Sequence, residues 1–256
     1  RGDELRTWWL DRKSSPEYAA MRDQRASLPA NNARESFVQL AGDATRDCHR
    51  DRVVVCGETG SGKTTQLPHY LLDAALCAGG ERAARIRIVV TQPRRVAATS
   101  VATRVAQECG ENDVGGLVGY HIRHERRCSS RTKILFCTAG VLLKCLRGAT
   151  STHSDGDDGA DFVRKATHIV LDEIHERAAD SDLLLAALRR TVAAQHRREK
   201  ARKLSLVLMS ATLDAQLFQK YLDAALRGSE KAQTTPLVTI SGRAHPVQNY
   251  FLEDVV

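Results

Sequence analysis

The sequence predicts an α/β fold, a mainly parallel sheet with helices on both faces, preceded by an N-terminal helical arm. Short apolar runs recur at 53–56, 86–90, 134–137, 168–171 and 206–209. They do not alternate with polar residues, as expected of strands covered on both sides. Segments with helical spacing fall between them, at about 65–78, 95–109, 139–147, 180–200 and 214–226, so β and α elements alternate along the chain.

Residues 3–27 are polar and helix-compatible, with Trp8 and Trp9 as anchors onto a larger body; Leu28, Pro29 and Ala30 end the stretch. This divides the chain into an arm at 1–30 and an α/β unit at 31–256. Residues 34–46 read as a helix leading into the first strand, VVVC at 53–56. That strand runs into GETGSGKTT at 57–65, which satisfies the pattern GxxxxGK[ST] with Gly57, Gly62, Lys63 and Thr64. Strand, glycine loop and helix are the context a phosphate-cradling loop needs. Gly57, Gly60 and Gly62 open backbone angles closed to other residues, so that successive N–H groups converge on phosphates at a helix N-terminus. Lys63 adds a point charge and Thr64 a hydroxyl for Mg²⁺. The candidate nucleotide-binding set is Gly57, Thr59, Gly60, Ser61, Gly62, Lys63, Thr64 and Thr65.

The run THIVL at 167–171 delivers Asp172 and Glu173 to a strand's carboxyl end, where open α/β sheets bind ligands. Asp172 is the candidate to hold Mg²⁺ together with Thr64, partly through water, and Glu173 to orient or deprotonate the attacking water. An acidic pair can also simply cap a helix. The phosphate loop upstream favours the chemical role.

At 256 residues the chain is long enough for one large core, and no apolar run approaches membrane-spanning length. The formal charge of +7 favours a polyanionic partner. Seven cysteines, with no CxxC pair, imply an intracellular, reducing compartment, without a choice among cytoplasm, nucleus and mitochondrion. Residue 1 is Arg, and a piece of a longer protein is expected. GATSTHSDGDDGAD at 148–161 is small, polar and acidic and reads as a flexible surface loop. Basic stretches stand at 82–87, 123–133 and 189–203. The last reads as a solvated helix end; the middle one places several Arg side chains in a loop beside the sheet edge.

From about residue 18 onward the chain resembles the first RecA-like domain of a DEAH/RHA-type (DExH-box) superfamily 2 RNA helicase. The resemblance rests on GETGSGKTTQ at 57–66, TQPRRVAATSVATRVA at 91–106, GYHIRHE at 119–125, TAGVLL at 138–143, DEIHER at 172–177 and SATL at 210–213. MRDQRASLP at 21–29 and the ending GRAHPVQNYFLEDV are similar to the RNA helicase A, maleless and RHAU branch. The resemblance implies a RecA-like P-loop fold, ATP or another NTP with Mg²⁺ as cofactors, and single-stranded RNA held by its backbone as partner. Glu173, Lys63 and His175 are its catalytic candidates. Arg104 matches the arginine that stacks on the nucleotide base; His175, Ser210 and Thr212 match residues that couple hydrolysis to RNA movement; Arg94, Arg95, Arg123 and Thr138 match RNA-backbone contacts. It further implies a second RecA-like domain and C-terminal domains of the same chain, 3′-to-5′ movement, and a surrounding protein or RNP complex. Nothing in the sequence matches the arginine-finger motif of that second domain. Two other classes stay open at this point: an RNA-bound assembly factor with little turnover, and a DNA helicase or other P-loop ATPase.

Overall fold

The computed structural model describes residues 2–42, 50–148, 158–196, 204–211, 215–226, 234–242, 251 and 253. Eight strands form one sheet: β1 (Arg52–Gly57), β2 (Ile88–Gln92), β3 (Val118–Ile122), β4 (Glu125–Arg127), β5 (Ile134–Thr138), β6 (His168–Leu171), β7 (Ser205–Ser210) and β8 (Leu237–Ile240). Their spatial order is β4-β3-β5-β2-β6-β7-β1-β8. Each neighbouring pair is parallel except β3 with β4. All five sequence-predicted strands are present, although the second begins at Ile88, two residues later than its apolar run.

Helices cover both faces. On one lie α3 (Arg34–Ala41), α4 (Lys63–Ala78) and α6 (Arg95–Glu108), with α5 (Gly80–Arg85) following α4. On the other lie α7 (Ala139–Gly148), α8 (Asp158–Arg164), α9 (Ala179–His196) and α10 (Ala215–Asp223). The strand pleat divides the core accordingly: Val53 and Val55 belong to the first cluster, Val54 and Cys56 to the second. Every described residue of β1 is buried, which is why its run is apolar throughout.

The N-terminal helical arm is present, and two other expectations are corrected. The arm is two helices, α1 (Gly2–Lys13) and α2 (Pro16–Ala26). Ser15 caps the second by accepting from the Tyr18 N–H at 3.3 Å, and Pro16 fills the first helical position, where its missing N–H costs nothing. The basic stretch after His124 is not all loop, since Glu125–Arg127 pairs antiparallel with β3 as the sheet's outermost strand. The acidic segment becomes helical at Asp158, because Val163 can be buried against the second cluster and Ala160 is buried too; its residues 149–157 lie outside the described residues. The helix expected at 34–46 is described to Ala41, and 197–200 of the segment expected at 180–200 likewise lie outside.

Trp9 fastens the arm. It is fully buried, meets Tyr18 edge-on at 5.7 Å and 80°, and donates Nε1–H to Asp73 Oδ1 on α4 at 2.8 Å. Trp8 is only partly buried. Asp73 also receives Lys13 at 2.8 Å and Arg34 at 2.6 Å. Burial alone would raise its carboxyl, but the Lys13 and Trp9 hydrogen bonds prevail and bring it from 3.8 down to about 2. A carboxyl more acidic folded than unfolded stabilises fully above its unfolded pKa and loses that contribution as pH falls through the folded one. Asp73→Asn is therefore expected to cost about 2 kcal/mol at neutral pH and far less near pH ~2, read from denaturant titrations at both.

Candidate nucleotide and nucleic-acid site

The glycine loop leaves β1 and enters α4 through Gly62, whose φ of 90° and ψ of 6° form a left-handed cap that a side chain would strain. Gly57 is required for a different reason. A Cβ there would stand 2.9 Å from Ile240 Cβ, because β8 packs directly against the start of the loop. Thr59 and Gly60 are exposed at the tip, and Ser61 is fully buried beneath it. Lys63, 4% exposed, folds its ammonium back onto the carbonyls of Gly57 and, at 2.8 Å, Glu58. Burial lowers its pKa, with Glu173 and Asp172 pulling the other way. Thr65 sits two residues further along, partly buried.

The acid pair reaches the same place from β6. β7 lies between β1 and β6, so the ends of three adjacent parallel strands present the loop, Ser210 and Asp172 side by side. Asp172 is 3% exposed and accepts from Thr64 Oγ1 at 2.5 Å, Gln92 Nε2 at 2.6 Å and the Glu173 N–H at 2.9 Å. Burial raises its carboxyl despite these donors. Glu173, at a left-handed φ of 50°, is raised first by burial and then by the charge of Asp172. An outlier conformation beside a buried acid is the kind of strain that functional sites hold.

These residues fit a Mg²⁺-bound triphosphate. The Lys63 ammonium occupies carbonyl partners that a phosphate would outcompete, the Ser61 hydroxyl has no partner among the described residues, and nothing stands within 4 Å of a Cβ built on Gly60. Thr64 and Asp172 bring hard oxygen donors to one point, which is the ligand chemistry Mg²⁺ prefers.

His175 follows on a 3-10 turn, Ile174–Glu176. Its Nδ1 lies 3.3 Å from both Glu173 Oε2 and the backbone N of Ala211. One nitrogen cannot serve both: bare, it accepts from the Ala211 N–H; protonated, it donates to Glu173. Ser210 is fully buried beside this contact. Thr212 lies outside the described residues.

A groove of about 1050 Å³ opens at the carboxyl ends of β2 and β5, lined among others by Arg95, Arg123, His124, Thr138, Lys144 and Asp180. Arg95 donates to the Arg123 carbonyl at 3.2 Å, joining α6 to the turn after β3. Three of the four residues matched to RNA-backbone contacts thus share one groove. Arg94, exposed at the N-cap of α6, does not line it.

The DEAD/DEAH box helicase family model matches residues 39–219, which contain both the phosphate loop and the acid pair. The chain belongs to the DEAD/DEAH box helicase family. The human ATP-dependent RNA helicase DHX29 is 39% identical over 99% of this chain. The mouse putative ATP-dependent RNA helicase DHX57 is 41% identical over 96%, and the chloroplastic DExH-box ATP-dependent RNA helicase DExH4 of Arabidopsis thaliana 37% identical over 96%. The chain spans only 16%, 15% and 15% of those relatives' lengths.

In this helicase domain Arg104 stands apart from the groove, roughly two and a half turns beyond Arg95 on α6. Its side chain is half exposed and donates Nε–H to Glu108 Oε1 at 2.9 Å. Sequence reasoning missed Gln92, Gln66 and Glu108. Gln92 was visible as the Gln of TQPRR at the end of a buried run, a position from which only a polar side chain with a buried partner is stable. Gln66 closes the GETGSGKTTQ motif, so the helical spacing of α4 already turned it inward.

Proposed function

We propose that this chain is the first motor domain of an ATP- or NTP-dependent RNA helicase, coupling NTP hydrolysis to RNA unwinding or RNP remodelling in the 3′-to-5′ direction. The observation that carries the reading is the joining of phosphate loop to acid pair through Thr64 and Asp172, with Gln92 linking that acid to the strand that ends beside the basic groove. α6 continues from the groove to Arg104, so one helix spans both candidate ligands.

In this reading the loop amides and Lys63 bind the β- and γ-phosphates, and Thr64 and Asp172 hold Mg²⁺. The ion, when bound, would neutralise developing phosphate charge. Glu173 accepts the proton of the attacking water; a carboxylate raised by burial and by Asp172 is a stronger base than an exposed one. Release of that proton toward His175 Nδ1 would exchange the Ala211 contact for the Glu173 contact, passing the state of the site to the segment after β7. Arg95, Arg123 and Thr138 grip the RNA backbone without reading its sequence, with Arg94 at the margin. Arg104 stacks on the base face, which is weakly selective among NTPs. Ser210 and Thr212 contact a second RecA-like domain, which supplies the remaining transition-state charge; C-terminal domains, a protein or RNP complex, and an intracellular, reducing setting complete the proposal. Among the described residues no helix is long and apolar enough to cross a membrane.

The test is NTP hydrolysis by the full-length protein with and without single-stranded RNA, alongside strand displacement from RNA-loaded and DNA-loaded duplexes. RNA-stimulated hydrolysis and RNA-dependent displacement are expected, with little hydrolysis by residues 1–256 alone. Equal hydrolysis by wild type and Lys63→Ala would remove the active-site assignment, and robust unwinding by residues 1–256 would remove the need for a second domain.

A further inference from the structure

Glu108, at the end of α6, joins three parts of the molecule. Its carboxylate is 2% exposed, accepts from Arg104 Nε and Gln66 Nε2 at 2.9 Å each, and faces Arg25 Nε at 3.5 Å. Gln66 in turn accepts from Arg25 Nε at 2.7 Å and touches Thr65 Oγ1 at 2.8 Å, within the first turn of α4 after Lys63. The arm meets the phosphate loop at two further points: Ala30 N–H donates to the Ser61 carbonyl at 2.9 Å, and Leu28 packs against Gly62.

A half-exposed arginine loses rotamer entropy when it stacks on a ligand, and fixing one end of it beforehand removes much of that loss. Glu108 has the geometry for this, since it holds Arg104 by Nε while the arginine side chain stays half exposed, with a long contact from its Nη2 to Met21 Sδ at 4.0 Å. The carboxylate is itself fixed, buried between Arg25 and Gln66, so the arginine is braced against the protein body and not against solvent.

We propose that Glu108 and Arg25 are positioning residues of the nucleotide site. Glu108 presets Arg104 as the surface that receives the base of an NTP, and Arg25, through Gln66, holds that surface in register with the phosphate loop. The N-terminal arm is on this account a working part of the nucleotide site. The inference rests on the reading of Arg104 as the base-facing residue.

The experiment measures binding of a non-hydrolysable ATP analogue and of inorganic tripolyphosphate, each with Mg²⁺, to the full-length protein by calorimetry. Glu108→Gln and Arg104→Ala are each expected to weaken the analogue about tenfold and tripolyphosphate by less than about twofold, with the double variant no weaker than either single one, as coupled residues require. Arg25→Lys keeps the charge but loses the planar fork, and an intermediate weakening confined to the analogue is expected. Thermal melts of each variant separate positioning from loss of fold. Equal weakening of both ligands by Glu108→Gln, or losses that multiply in the double variant, would overturn the positioning role. Arg104→Ala without effect on the analogue would instead sink the base-facing reading on which it rests, and a wild type that binds neither ligand would sink the helicase reading.

Discussion

Glu173→Gln in the full-length protein is expected to lower RNA-stimulated NTP turnover by roughly 100-fold or more while leaving nucleotide affinity within a few-fold. The substitution keeps shape and hydrogen-bonding reach but removes the basic oxygen. Affinity resides elsewhere, in the loop amides, Lys63 and the Thr64–Asp172 pair; Glu173 touches that pair only through its backbone N–H, which the substitution keeps. Burial and the neighbouring Asp172 both make its charge costly. Because its folded carboxyl is raised, ionisation destabilises the nucleotide-free domain above the ordinary carboxylate range and not below it. The variant should accordingly melt slightly higher than wild type at neutral pH, with the gain vanishing in acid. Steady-state kinetics with and without RNA, paired with nucleotide titrations, check the first claim. Unchanged turnover would show that another group takes the proton.

Trp9→Ala is expected to cost about 3–5 kcal/mol of stability, the usual range for emptying a large buried aromatic site. The site has little means to collapse. Tyr18 and His69 both contact the indole and lie 3.3 Å apart through the Tyr18 hydroxyl and His69 Nε2, and Asp73 is committed to Lys13 and Arg34. Loss of the indole also removes one of the hydrogen bonds that keep Asp73 acidic. Denaturant unfolding should show the loss; limited proteolysis should show earlier cutting near the break between α1 and α2. Trp8→Ala, at a half-buried ring, provides the comparison and should cost far less.

The strands legible in the sequence were those whose neighbours lie on both sides and whose faces are both covered, which forces continuous apolar runs such as VVVC. β3 escaped because VGYHI includes Gly119 and the partly exposed His121, and β4 because an edge strand can be ERR, with every side chain exposed. β8 alternates exposed and buried residues at the opposite edge, a pattern four residues long and too short to stand out. The break in the arm was encoded in Ser15-Pro16, a cap and first-turn signal overshadowed by the helical polarity around it. The phosphate loop and acid pair were legible because their chemistry tolerates few residue types. Gln66, Gln92 and Glu108 were not, because an amide or carboxylate inside a helix or at a strand end has many uses, and only the folded distances choose one. The groove joining Arg95, Arg123 and Thr138 depends on β2, β3 and β5 lying together, a long-range pairing that local pattern does not reveal.

β1, the strand that carries the phosphate loop, pairs with β7 and β8 and with none of β2 to β6. Val54 lies beside Leu208 on one flank and Leu237 on the other. During synthesis this strand must therefore wait for most of the domain to leave the ribosome before either flank is closed, and a strand apolar from Val53 to Cys56 with two open edges invites pairing with other chains. The arm and α4, which precede and follow β1 in sequence and are joined through Trp9 and Asp73, can shield one face of β1 long before its edges are filled. Nascent chains halted before residue 205 should thus be the species that most need a chaperone.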